Sequence, residues 1–307
     1  MLFITLLDVL LALILVALVS GNNLSVSTGP IISGRVVNKR TGVLITILGY
    51  VSGFLLQGSI LRKGISSLLP AGSLLIPVIL VISIIMFIIA HKKRVPESLS
   101  IIFISALIGV SLAYGSINTI YVAEILSFWI VAGIVSLVLA SVVLHRVQKL
   151  MYRDNVWTGI HWVRILLIII SFLTAFTLGA NTLGTIASVI QPSLYVYVAI
   201  IVSIVLGSVL LSTGELHRLG DEIMPMRYAN ALVSQLVAAA SVELATLLSV
   251  PLSNTQMLTS TIYGTGLGYK ERLLSKKPAV QIVSIWIITA VFSVAVAYAA
   301  SAVILAL

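Results

Sequence analysis

Residues Leu2–Pro30 read LFITLLDVLLALILVALVSGNNLSVSTGP, an apolar run of helical length that ends in an uncharged polar stretch holding two glycines and a proline. A bilayer core of about 30 Å takes roughly 20 apolar residues as a helix, so Leu2–Ser20 is predicted to cross a membrane. No basic residue precedes the run and Asp8 interrupts it, which argues against a cleaved signal peptide. The stretch Gly21–Pro30 is predicted to break the helix, since its glycines and proline are poor helix formers. Unpaired main-chain groups at such a break cannot face lipid, so they line a cavity or lie buried in protein.

The same alternation of apolar run and polar interval continues along the chain. Further runs occupy Val43–Leu61, Leu68–Ala90, Leu99–Tyr114, Ile117–Leu144, Ile165–Leu178, Tyr195–Leu211, Tyr228–Val250, Met257–Leu267 and Val280–Leu305, about ten membrane segments in all. Of 307 residues 60% are hydrophobic and only 9% charged, with a mean hydropathy of +1.19. Soluble proteins carry roughly a quarter charged residues, so lipid is the solvent here. None of the runs shows the short-period alternation of a barrel strand. The expected class is therefore an all-α polytopic protein of the cell membrane. Its net charge of +9 sits in short clusters between runs, at Arg35–Arg40, Arg62-Lys63, Lys92–Arg94, Arg146–Arg153 and Lys270–Lys277. That pattern reads as cytoplasmic anchoring against the lipid bilayer rather than as nucleic-acid binding. The chain has no cysteine, which excludes disulfides, thiolate catalysis and Cys-ligated metals.

Internal repetition organises the chain. The most polar connection, His145–Arg164, divides it into two halves, 1–145 and 146–307. Gly21 and Asn23 recur as Gly179 and Asn181, and Leu48-Gly49 recurs as Leu206-Gly207 at the same separation. Gly58 and Gly64 recur as Gly214 and Gly220. Val95-Pro96 and Ser98 recur as Val250-Pro251 and Ser253, and Gly109, Leu112 and Tyr114 match Gly264, Leu267 and Tyr269. If basic loops are cytoplasmic, Tyr228–Leu267 enters and leaves on one side with its hinge at Pro251. In the first half Arg35–Arg40 and Arg62-Lys63 flank a single apolar run, a conflict that two inverted repeats would produce.

Two polar breaks at equivalent places, Gly21–Pro30 and Gly179–Thr185, are the sequence pointer to a transported substrate near the bilayer midplane. Half-helix N-termini at such breaks would offer N–H groups and a positive dipole end to an anion. Pro96-Glu97-Ser98-Leu99-Ser100 and Pro251-Leu252-Ser253-Asn254-Thr255-Gln256 each set hydroxyls between a proline and an apolar helix, where they cap the helix and, as a repeated pair, are candidates for ligand contact. Glu243, inside Tyr228–Val250, has no counterpart in the first half. An intramembrane carboxylate is costly and so is a candidate for carrying a coupling proton. Asp8 and Glu124 lie near segment ends and are expected at the interface, and His91, His145, His161 and His217 fall in or beside basic loops, where solvated positions are expected. No metal-ligand cluster, Gly-x-Ser-x-Gly or Gly-Lys-Ser/Thr element is present, so neither an enzyme, a cofactor nor a metal is expected. The glycine run Gly264–Gly268 reads as tight helix packing rather than a nucleotide loop.

Together these residues resemble the inorganic phosphate transporter family, whose members carry Gly-Ala-Asn-Asp-x-x-Asn-Ala in each of two inverted repeats. Gly21-Asn22-Asn23-Leu24 and Gly179-Ala180-Asn181-Thr182 look like the two copies, and Pro251–Gln256 looks like the later Pro-x-Ser-Thr-Thr-His/Gln element. The resemblance covers nearly the whole chain. It implies two inverted-topology repeats with broken or re-entrant helices, an oxyanion held at the centre between them, and uptake driven by sodium or protons. Carried residue by residue, it implies an anion site lined by Asn23, Ser25, Ser27, Thr28, Ser98, Ser100, Asn181, Thr182, Thr185, Ser253, Asn254, Thr255 and Gln256. This chain departs from the motif at its aspartates, replaced by Leu24 and Thr182, and at the second asparagines, replaced by Ser27 and Thr185. Loss of both carboxylates favours a proton over sodium as the coupling ion, with Glu243 as its candidate carrier. The expected function is a secondary transporter of inorganic phosphate working by alternating access. A sulfate permease, from a branch that also strays from the motif, and a non-transporting receptor or scaffold are the alternatives, and a second copy of the chain is a candidate partner.

Overall fold

The computed structural model describes residues 2–69, 74–93, 98–151, 156–191, 193–210, 228–268 and 276–307, and every regular element among them is a helix. The first half contains α1 (Leu2–Ser33), then α2 (Lys39–Gln57), which a 3-10 turn (Gly58–Ile60) joins to α3 (Leu61–Ile65). There follow α4 (Ile76–Lys93), α5 (Leu99–Ala113) and the long α6 (Thr119–Met151). In the second half α7 (Val156–Leu178) passes through a π-helical turn (Gly179–Leu183) into α8 (Gly184–Ser188). Then come α9 (Leu194–Leu210), α10 (Tyr228–Leu247), α11 (Asn254–Gly268) and α12 (Lys276–Ala306). Six stretches among the described residues are long and apolar enough to span a bilayer, and Ile76–Ala90, Leu99–Ala113 and Leu194–Leu210 are shorter apolar helices. Ile130, Ile134 and Val138 on α6 and Ile287 and Val291 on α12 point outward, as side chains solvated by lipid do.

The structure departs from several of these expectations. The helix does not break at Gly21–Pro30: α1 is continuous through it, with Pro30 inside and Gly34 N donating to Pro30 O at 3.1 Å. Stopping a helix in lipid strands several N–H and C=O groups at several kcal/mol each, whereas an internal proline removes only one bond, so the low helix propensity of these residues is overridden. Nor is Gly179–Thr185 a loop. It is a π-helical widening of a continuous rod, the kind of irregularity that re-aims side chains without exposing main chain. Neither place offers a free half-helix N-terminus. Those termini belong instead to α5 and α11, each the second arm of a hairpin. The connection expected over His145–Arg164 is also largely helical, since α6 runs to Met151 and α7 begins at Val156. Asp8, expected at the interface, is buried at 7% exposure. His145 and His161 are exposed as expected, and His217 lies outside the described residues.

Helix packing reciprocates between the halves. α1 lies on α9 and α7 on α2, and α5 lies on α12 and α6 on α11. The glycines paired by the sequence repeat sit at these crossings. A Cβ at Gly49 would stand 2.6 Å from Phe172 O, and one at Gly207 would collide with Ala17 O. Likewise Gly109 abuts Val294 O and Gly264 abuts Leu137 O, so the Gly264–Gly268 run is helix packing, as small residues in membrane bundles commonly are.

Long-range hydrogen bonds sort the helix ends onto two faces. On one, Arg164 Nη2 donates to Arg35 O at 3.1 Å and Tyr228 Oη to Gly34 O at 2.7 Å, bringing together the end of α1 and the starts of α7 and α10. On the other, Arg62 Nη2 donates to Ala187 O at 3.3 Å and Ile190 O at 3.1 Å, capping the end of α8 from the start of α3. Thus α1 ends where α7 begins, and the two run antiparallel. Arg35–Arg40 and Arg62-Lys63 stand on opposite faces, which removes the conflict met in the sequence.

Candidate functional site

The polar centre is organised around the turn of the second hairpin, between α10 and α11. Ser249 closes α10 in the left-handed region at φ 62°, with Val250 N donating to Ala245 O at 2.8 Å. Glycine normally fills that place. Pro251 prevents the helix from continuing, and Ser253 Oγ starts α11 by accepting from Gln256 N at 3.1 Å. Away from water the exposed turn carbonyls need donors from neighbouring helices, and each of four successive ones has such a donor. Tyr121 Oη donates to Ser249 O at 2.6 Å, Asn181 Nδ2 to Val250 O at 3.2 Å, Trp129 Nε1 to Pro251 O at 3.0 Å and Ser100 Oγ to Leu252 O at 3.3 Å. Ser249 Oγ in turn donates to Ile60 O at 3.0 Å.

The π-helical turn aims Asn181 at this hairpin. Its Nδ2 also donates to Thr246 Oγ1 at 2.8 Å, and its Oδ1 accepts from Leu252 N at 3.1 Å. The fully buried amide is therefore engaged by the turn at both ends. Thr185 Oγ1 donates back to Asn181 O at 2.7 Å, and Thr182 is buried beside it in sequence. In the first half Asn23 Nδ2 donates to Tyr50 Oη at 3.1 Å on α2, while Gly179 abuts the Tyr50 carbonyl. The two Gly-x-Asn motifs thus share one α2 residue. Ser27 is buried with no protein partner for its Oγ, and Thr28 is also buried. The side chain of Ser25 lies outside the described residues, as do Pro96 and Glu97.

Ser98 caps α5, accepting from Ile101 N at 3.3 Å, as Ser253 caps α11. Ser100 bridges the two hairpins through Leu252 O. At the start of α11, Asn254 is 7% exposed and neither of its amide atoms has a protein partner. Gln256 Nε2 donates to Trp129 O at 2.7 Å, which fixes the amide so that its buried Oε1 is left without one. Thr255 is half-buried and its carbonyl accepts from Thr259 Oγ1 at 2.7 Å. Glu243 is half-buried in α10, with Oε2 buried and unpartnered. No group of three or more His, Asp and Glu able to hold a metal occurs among the described residues.

Two site-adjacent residues went unread in the sequence. Tyr121 and Trp129 both lie on α6, within an apolar run that gave no reason to single them out. The usable signal was repetition: Trp129 has a repeat-equivalent tryptophan, Trp286 on α12, and the two are 8% and 7% exposed.

A bundle of antiparallel membrane-length helices around an uncharged polar centre, with two hairpins meeting there, is the architecture of a membrane carrier. The model of the phosphate transporter family matches residues 19–297, and the chain belongs to that family. Among relatives, a protein assigned as a phosphate permease in Methanocaldococcus jannaschii is 25% identical over 292 residues, covering 95% of each chain. The sulfate permease CysP of Bacillus subtilis is 22% identical across 87% of this chain and 78% of its own length. A protein assigned as a low-affinity inorganic phosphate transporter in the same organism is 24% identical across 71% of each. The fold is that of a solved structure described as a sodium-dependent phosphate transporter, with a TM-score of 0.81 at 15% identity over 98% of this chain and 99% of that one.

Proposed function

We propose that this chain carries inorganic phosphate across the cell membrane by alternating access between two inverted repeats, 1–145 and 146–307, with a proton as the coupling ion. The observation that carries the substrate assignment is the pair of buried amides at the start of α11. Phosphate near neutral pH keeps at least one P–O–H group, so its site needs an acceptor as well as donors, whereas sulfate only accepts. Asn254 Oδ1 and Gln256 Oε1 are acceptors without a protein partner. A site whose acceptors are left unpaired by the analogue discriminates strongly against it. Asn254 Nδ2, the hydroxyls around Ser253 and Thr255, and the N-terminus of α11 supply donors and a favourable dipole for the charged oxygens. Ser27, Thr28, Ser98 and Thr182, with Asn23, Ser25 and Thr185, complete the proposed lining. Asn181 and Ser100 contribute by holding the turn.

Coupling to a proton is favoured by the absence of a carboxylate at Leu24 and Thr182 and by Glu243, whose buried oxygen has no hydrogen-bond partner. The antiparallel run of α1 and α7 and the reciprocal packing support the inverted repeat. Reconstituted liposomes test the whole reading. Saturable phosphate uptake should follow an imposed inward proton gradient and not a sodium gradient, and excess sulfate should compete poorly. Replacing Ser253 and Thr255 together by alanine should abolish uptake with membrane expression intact; no saturable phosphate flux in the parent chain would sink the proposal. Sulfate transport is the second reading, favoured by the likeness to CysP. Efficient block of phosphate uptake by sulfate would select it.

A further inference from the structure

The second hairpin is held along its length by α6, through side chains that lie outside the family motifs. Trp129 engages the hairpin in both directions: its indole N–H donates to Pro251 O at 3.0 Å, and its own carbonyl accepts from Gln256 Nε2 at 2.7 Å. Two turns earlier on the same helix, Tyr121 Oη donates to Ser249 O at 2.6 Å. Further along, Ser136 Oγ lies 2.8 Å from Ser241 Oγ on α10 and 3.4 Å from Met257 Sδ on α11. One face of α6 therefore follows both arms of the hairpin and clasps its turn.

The surroundings are shaped around the upper of these contacts. Gly64 admits no Cβ, because one there would collide with Tyr121 Oη and come 2.5 Å from Ser249 O. Ser249 occupies a backbone conformation that costs about 1–2 kcal/mol for a residue with a side chain, and its hydroxyl and carbonyl are both tied to other elements. A turn that only needed to end a helix would carry glycine and leave these bonds to chance. Here a strained residue, an excluded Cβ and two aromatic donors converge on the three consecutive residues Ser249–Pro251, shortly before the start of α11.

We infer that Tyr121 and Trp129 are positioning residues, which lock the Ser249–Pro251 turn to α6 and so set where Ser253, Asn254 and Gln256 stand. The part concerning an anion rests on the function proposed above; the lock itself does not. Trp286 stands at the matching place on α12, which lies on α5 as α6 lies on α11, so the first hairpin has its own tryptophan on the partner half.

The experiment uses the full chain in nanodiscs with Tyr121→Phe, which keeps the ring and removes only the donor, and Trp129→Phe, which removes the donor together with part of the indole. Trp162→Phe, at an exposed position on α7, is the control. Hydrogen exchange of a peptide spanning 248–256 should quicken about fivefold or more in each variant, the effect of one lost buried bond, while peptides from α9 stay unchanged. Calorimetric titration with inorganic phosphate should show the dissociation constant rising about tenfold, as displacement of binding groups does, with the melting temperature of Tyr121→Phe close to that of the parent. Unchanged exchange at 248–256 overturns the lock. Faster exchange with unchanged phosphate affinity overturns the positioning role. If the parent chain binds neither phosphate nor sulfate, the proposed function fails, and the exchange result still decides the lock.

Discussion

Asn254 is buried at 7% exposure, with both ends of its amide lacking a protein partner. A buried polar group without a partner costs about 1–3 kcal/mol, a cost that a bound ligand would remove. Asn254→Ala removes the donor shared by both anions and the acceptor that only phosphate uses, so it should weaken phosphate binding by about tenfold or more and sulfate binding by clearly less, read as two titrations on one preparation. Equal losses for both anions would contradict an acceptor role. Ser249 allows a second test. Ser249→Gly relieves the left-handed backbone, worth about 1–2 kcal/mol, but loses the bond to Ile60 O, worth about 1 kcal/mol, so thermal stability in detergent should barely move. Ser249→Val loses the same bond and puts a β-branched side chain at φ 62°, so its melting temperature should fall clearly below both. At this scale the sequence was informative about residue type and silent about use. Asn181 was legible as a motif residue, yet its amide turns out to hold Thr246, Val250 and Leu252. Spacing cannot distinguish an amide aimed at a ligand from one aimed at a carbonyl 69 residues away.

Among the elements, the glycine pairs were the most readable feature, because close helix crossings in lipid require small residues at fixed places. Gly49 with Gly207 and Gly109 with Gly264 mark equivalent crossings in the two halves. A Cβ at Gly53 would collide with the Phe176 carbonyl, which cannot swing aside as a side chain can. Gly53→Ala and Gly207→Ala should each destabilise the protein by about 1–3 kcal/mol, the usual cost of overpacking, seen as a lower melting temperature in detergent. Gly133→Ala should be tolerated, since the nearest atom to its Cβ is the Ser260 hydroxyl at 3.5 Å. Equal effects at all three would mean that helix propensity rather than crossing distance governs these sites. The continuity of α1 was not legible. Glycine and proline report local preference, while the decision was made by the cost of stranding main chain in lipid, which depends on what surrounds the segment.

The whole molecule makes a prediction about sidedness. Val147 near the end of α6 packs against the cluster that holds Ile31, Val163 and Leu232, so the basic end of α6 joins the face that carries Arg35, Arg164 and Tyr228. Lys63, Ser67 and Asn118 line one cavity with Ser249 on the opposite face. Among the described cations that these contacts place, Arg35, Lys39, Arg40, Arg146, Lys149 and Arg164 stand on the first face and Arg62 and Lys63 on the second. The excess of Lys and Arg belongs on the cytoplasmic side. The chain contains no cysteine, so single cysteines can be introduced without removing any. Lys39→Cys and Lys149→Cys should react with a membrane-impermeant maleimide only after the cells are permeabilised. Lys63→Cys should react from outside on intact cells. The informative comparison is between Lys39 and Lys63, which bracket one continuous helical stretch, Lys39–Ile65. Labelling of both from the same side would remove that span and the antiparallel relation of α1 and α7, and the inverted repeat would fall with it. Labelling from opposite sides, with Lys149 on the side of Lys39, leaves the second hairpin entering from the cytoplasm and the first from outside. The two helix N-termini would then meet between the halves, where one anion could reach both.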